Sequence, residues 1–96
     1  MKERIFEIIA SAVRDIGEEM EIESLQQVNE KTKLFGSGGA LDSLSLVSLI
    51  ADVEEKIVDT FERSIVLADE RAMSQRTSPF RDVESLCAYV EKLLND

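Results

Sequence analysis

Apolar residues recur through the start of the chain at Ile5, Ile9, Ala12 and Ile16, with Phe6 and Val13 beside them. These are i, i+3, i+4, i+7 spacings, and they predict an amphipathic helix over Lys2 to Ile16. Gly17 weakens the pattern and offers a natural end. From 18 to 42 the regularity fades. A structureless loop of about 25 residues is unusual in a compact domain, and Ile22, Leu25 and Val28, three apart, predict a helical turn or two near 21–29. Leu34 and Phe35 are expected to plug this segment onto the core. Gly36-Ser37-Gly38-Gly39 then permits a tight path with positive φ.

The strongest periodicity follows, from Ser43 to Phe61 or Glu62. At ~100° per residue, Leu46, Leu49, Ile50, Val53, Ile57 and Phe61 gather on one side of a helix. Ser45, Ser48, Asp52, Glu55 and Asp59 gather on the other. Leu44, Val47, Ala51 and Val58 form an apolar shoulder that the core need not cover. Ser64 to Ala68 is β-branched, but with no partner strand in view it reads as an extended connector with Ile65 buried. Asp69 is placed to cap a short helix near 70–74, and Arg71 to Ser78 reads as polar loop. Ser78-Pro79 has the chemistry of a helix start. Val83, Leu86, Cys87, Val90 and Leu93 give that helix a stripe running to about Leu94. The predicted fold is all-α: a small four-helix bundle of three long helices and one short one, with a long connection after the first.

Composition narrows the picture. Ninety-six residues make one domain over 1–96, long enough to bury roughly two-thirds of its extended surface. With 44% hydrophobic residues, no Trp and few aromatics, the core must be mostly Leu, Ile, Val and Ala. Eleven basic against 20 acidic residues leave a formal net charge of −9. That balance argues against nucleic acid and anionic membrane surfaces as partners and favours basic protein surfaces. A single cysteine cannot form an internal disulfide, and Cys87 on the core stripe reads as a buried, inert thiol. Met20 and Met73 read as gap-fillers, and Tyr89 as a residue of the bundle edge. Without His, a zinc site has too few ligands, and no calcium-loop spacing occurs. The N-terminus is too charged for a signal peptide, and no run approaches the ~18 apolar residues of a membrane span. The expectation is a cytoplasmic protein.

The candidate chemistry lies where the glycine run meets the second helix, at Asp42-Ser43-Leu44. The glycines are not a phosphate loop, since no Gly-Lys-Ser/Thr and no preceding strand accompany them. Either Asp42 or Ser43 can cap the helix. The helix start offers free N–H groups and a positive partial charge, favourable surroundings for a phosphodiester on Ser43. The chain has no histidine to serve as a base, so Ser43 is poorly equipped as a hydrolase nucleophile. It is better suited to being modified than to catalysing.

With these residues in view, the chain resembles the acyl carrier proteins. The likeness is carried by LFGSGGALDSLSLVSLIADVEEKI around Asp-Ser-Leu, by SIVLADERA, and by DVESLCAYVEKL, segments that span most of 1–96 from 34 to 93. The resemblance implies a carrier and not an enzyme. A phosphopantetheinyl transferase would move 4′-phosphopantetheine from coenzyme A onto Ser43, and the arm's thiol would hold an acyl group as a thioester. The bundle would shield the acyl chain. It would deliver its cargo, as a monomer, to acyl-activating, acyl-transfer or condensing enzymes with basic docking patches. By matching position, Asp42 and Leu44 would belong to the transferase contact. Val47, Ala51, Glu54 and Glu55 would face partners, and Ile65 would match a contact residue in the following loop. Ser45 and Ser48 stand where many members are acidic, Lys56 interrupts the acidic run, and the stretches before Gly36 and from Met73 to Phe80 are long. The cargo's pathway would be fatty-acid, polyketide or another specialised acyl pathway; these departures count against a general fatty-acid synthesis carrier and favour one dedicated to a single pathway with its own cognate enzymes. Two alternatives remain: an aminoacyl or peptidyl carrier, or an unmodified helical adaptor that binds through Leu44, Val47 and Ala51.

Overall fold

A computed structural model of the chain describes residues 2–36, 38–67 and 79–95, and only the backbone of Lys2 and Ser43. Among these residues three α-helices form: α1 (Lys2–Glu19), α2 (Ser43–Phe61) and α3 (Val83–Asn95), with a 3₁₀ turn at Glu23–Leu25. The short helix expected near 70–74, with Asp69, Met73 and the polar stretch to Ser78, lies outside the described residues. The radius of gyration is 12.2 Å, against about 12.5 Å for a compact chain of this length. No helix among the described residues is long and apolar enough to cross a membrane.

Helix α1 is the hub, packing against α2, α3 and the 3₁₀ turn. Its stripe of Ile5, Ile9, Ala12, Val13 and Ile16 is buried, as its periodicity predicts, and Ala10 joins it. The helix does not stop at Gly17 but continues to Glu19. The glycine serves packing: a Cβ there would lie 2.6 Å from Leu25 Cβ, so only glycine lets the 3₁₀ turn close onto the helix. The chain leaves α1 through Glu21 in the left-handed region (φ 58°), with the Ile22 N–H donating to the Gly17 carbonyl at 2.7 Å. Met20, expected to fill a core gap, is instead exposed on this turn.

The long connection is held by main-chain bonds. The Leu34 and Phe35 N–H groups donate to the carbonyls of Arg81 and Phe80, at 2.8 and 3.2 Å. In return the Val83 and Glu84 N–H groups donate to Thr32 and Glu30, at 3.0 and 2.9 Å. The connection therefore satisfies the first amides of α3, which lack partners inside the helix. This pairing also corrects the predicted helix start at Ser78-Pro79. Pro79 and Phe80 are buried in a turn, and α3 begins at Val83 with the Ser85 N–H donating to Asp82 Oδ1 at 2.8 Å. Along α3, Val83, Leu86, Cys87 and Val90 are buried as expected; Tyr89 and Leu94 are buried too, while Leu93 is only half-buried.

On α2 the predicted core side holds, with Leu46, Leu49, Ile50, Val53 and Ile57 buried and Phe61 half-buried. Ser45 departs from its expected solvent face and is buried, because the helix cap folds over it. In the loop after α2, Leu67 is the fully buried residue, whereas Ile65, expected to be buried, is half-buried against the core's edge. Val66, between them, is exposed.

Candidate functional site

The loop that presents α2 begins and ends on buried leucines. Leu34 is fully buried, and its carbonyl accepts the Leu41 N–H at 2.8 Å, with Leu41 also in the core. Between them Gly36 and Gly38 take positive φ, 94° and 78°, as the glycine run predicts. A Cβ on Gly39 would lie 2.7 Å from the Leu34 carbonyl oxygen, so no other residue fits that close crossing. The loop thus delivers Asp42 to the surface at a fixed place.

Asp42 is extended (φ −90°, ψ −178°), and its Oδ1 accepts the Ser45 N–H at 2.8 Å. Its carbonyl takes the first helical bond, from the Leu46 N–H at 2.9 Å. Asp42 is therefore the cap, and Ser43 is the first helical residue, which resolves the choice that the sequence leaves open. The hydrogen bond from the Ser45 amide, aided by the Ser45 side chain and less by the Leu44 amide, holds the Asp42 carboxyl below its ordinary value of 3.8. Ser43 stands at the positive end of the helix dipole, between two exposed neighbours, Asp42 and Leu44.

Around this junction the surface is apolar. Leu44 is 80% exposed, Val47 62% and Val58 44%, and Ala51 is exposed on the same flank. With Val66 in the next loop, four of the five exposed large apolar side chains among the described residues lie on α2 or just after it; Met20 is the fifth. Glu55, Asp59 and Glu62 stand exposed on α2 and at its end, as does Ser48. Lys56 turns toward α1, reaching Asp15 at 3.7 Å and Asp52 at 3.9 Å, so it does not neutralise the exposed carboxylates. Glu54, expected among the partner-facing residues, is half-buried, and its Oε2 accepts the Leu67 N–H at 2.8 Å. Sequence spacing could not reveal that bond, because its donor is a main-chain amide of a loop.

An open groove of about 970 Å³ runs between α1 and α3, past Phe6, Cys87 and Ala88. No residue lining it comes from α2 or the glycine loop, so it is separate from the Ser43 junction. Among the described residues no cluster of His, Cys, Asp or Glu is placed to hold a metal ion. Comparison of the chain with protein-family models, curated proteins and solved structures gives no match.

Proposed function

We propose that the protein is a carrier whose Ser43 receives a 4′-phosphopantetheine arm from coenzyme A. The observation that carries this reading is the placement of Ser43 as the first residue of α2, one position after the Asp42 cap and one before the exposed Leu44. The residues present suit the arm: the helix start provides amide donors and a positive partial charge for a phosphodiester. The exposed neighbours leave room for a transferase to approach. In the transfer, the Ser43 hydroxyl would give up its proton to a base of the transferase as its oxygen bonds the pantetheine-bearing phosphorus, and the pyrophosphate bond would break with adenosine 3′,5′-bisphosphate as the leaving group. When attached, the arm supplies a thiol that holds an acyl group as a thioester. The chain's own residues present the arm and carry the docking surface.

That surface has an apolar centre, Leu44, Val47, Ala51 and Val58, with Glu55, Asp59 and Glu62 nearby. A partner with an apolar patch and a Lys/Arg rim complements it. The cargo, acyl or aminoacyl, is set by the enzyme that loads the thiol. Incubation with coenzyme A and a broad-specificity phosphopantetheinyl transferase should add the mass of one phosphopantetheine, and Ser43→Ala should gain none. If the wild-type chain gains no mass under conditions that modify a control carrier, the adaptor reading replaces this one, with the same exposed flank as its argument.

A further inference from the structure

We infer that Glu54 is a positioning residue, which holds the loop after α2 so that Val66 stands beside the exposed α2 flank and the two are recognised as one docking surface. This rests on the carrier reading above. Glu54 lies seven residues after Val47, three after Ala51 and four before Val58, which places it in the middle of that flank. A carboxylate there is free to face a partner. Instead it is half-buried, and Oε2 accepts the Leu67 N–H across 13 positions of sequence at 2.8 Å. A charge-assisted bond to a main-chain amide is among the stronger single ties that a loop can have.

The consequence falls on Val66. Leu67 is fully buried and Ile65 half-buried, so fixing the Leu67 amide turns the residue between them outward, where it is 61% exposed. The peptide that Glu54 holds joins Val66 to Leu67, so Val66 stands within one side chain's reach of the Ala51–Val58 flank. The near end of the loop is tied as well: the Arg63 guanidinium donates to the Leu94 carbonyl at the end of α3. Loops without such ties sit at the low-stability end of a structure. The outward negative charge at this place comes from the exposed Glu55, and Glu54 acts through the loop.

Glu54→Gln and Glu54→Ala separate this role from a direct charge contact. The glutamine oxygen can still accept the Leu67 N–H but carries no charge; alanine removes both. In steady-state transfer from coenzyme A by a phosphopantetheinyl transferase, Glu54→Ala should raise KM for the chain about five- to tenfold with kcat little changed, the signature of lost docking. Glu54→Gln should stay within about twofold of wild type, since the acceptor is kept. In parallel, amide exchange should show Leu67 protected in wild type and Glu54→Gln and unprotected in Glu54→Ala. If glutamine is as defective in KM as alanine, a partner reads the charge and the inference fails. It fails equally if Leu67 protection survives in Glu54→Ala. A wild-type chain that accepts no arm overturns the carrier reading and the docking role with it, while the exchange data still report whether the tie exists.

Discussion

At the residue scale, Asp42 and Ser45 join the stability of α2 to the presentation of Ser43. The carboxyl of Asp42 is held below its ordinary value of 3.8 chiefly by the Ser45 amide. A group whose folded pKa is depressed stabilises the fold above its unfolded value and loses that contribution as pH falls through the folded one. The window therefore opens as pH drops below 3.8. Asn caps a helix about as well as Asp but does not titrate, so Asp42→Asn should flatten the acid limb of stability against pH. Denaturant unfolding at a series of pH values checks this, and parallel acid limbs for the two proteins would contradict it. Leu44, at 80% exposure, makes the opposite kind of residue. Leu44→Ala should change stability by no more than about 0.5 kcal/mol while raising the transferase KM. That the helix begins at Asp42-Ser43 is legible from residue types alone. The burial of Ser45 is not: a period-3.6 pattern puts it on the polar side, whereas the cap, a local bond from its N–H to Asp42 three residues earlier, draws it in.

At the scale of elements, periodicity locates the three helices, and it does so because each buries one stripe against a neighbour. It mislocates their ends where an end is decided by another segment. Gly17 reads as a stop but is the contact point for the 3₁₀ turn. Two effects compete in Gly17→Ala: alanine gains up to ~1 kcal/mol of helix propensity, but its Cβ would sit 2.6 Å from Leu25 Cβ, an overpacking that costs about 1–3 kcal/mol. Net destabilisation is expected in chemical denaturation, and a gain in stability would show that the turn gives way freely. Ser78-Pro79 reads as a start, yet the chain at 80–84 pairs through its backbone with 30–35, and main-chain pairing between segments some fifty positions apart leaves no side-chain pattern to read. Leu34 is the anchor of that arrangement and is fully buried. Leu34→Ala should cost about 2–5 kcal/mol and loosen the glycine loop together with the start of α3, seen as faster exchange of the Val83 and Glu84 amides.

At the scale of the molecule, the net charge of −9 and the clustering of exposed apolar side chains along α2 support the proposal that a basic partner would be attracted to the chain and would dock at an apolar centre. The association should be steered over about 30 Å at ~0.01 M ionic strength and only about 10 Å at ~0.1 M, so the transferase KM should climb with salt; a salt-independent KM would count against electrostatic docking. The proposed attachment is narrower still, to one serine at the start of α2. Cleavage after Lys33 and Lys56 releases LFGSGGALDSLSLVSLIADVEEK, which carries four serines, Ser37, Ser43, Ser45 and Ser48. Fragmentation of this peptide after treatment with coenzyme A and a phosphopantetheinyl transferase locates the modification to a single residue. Phosphopantetheine is expected on Ser43 alone; an unmodified peptide, or an arm on Ser37, Ser45 or Ser48, would overturn the carrier reading.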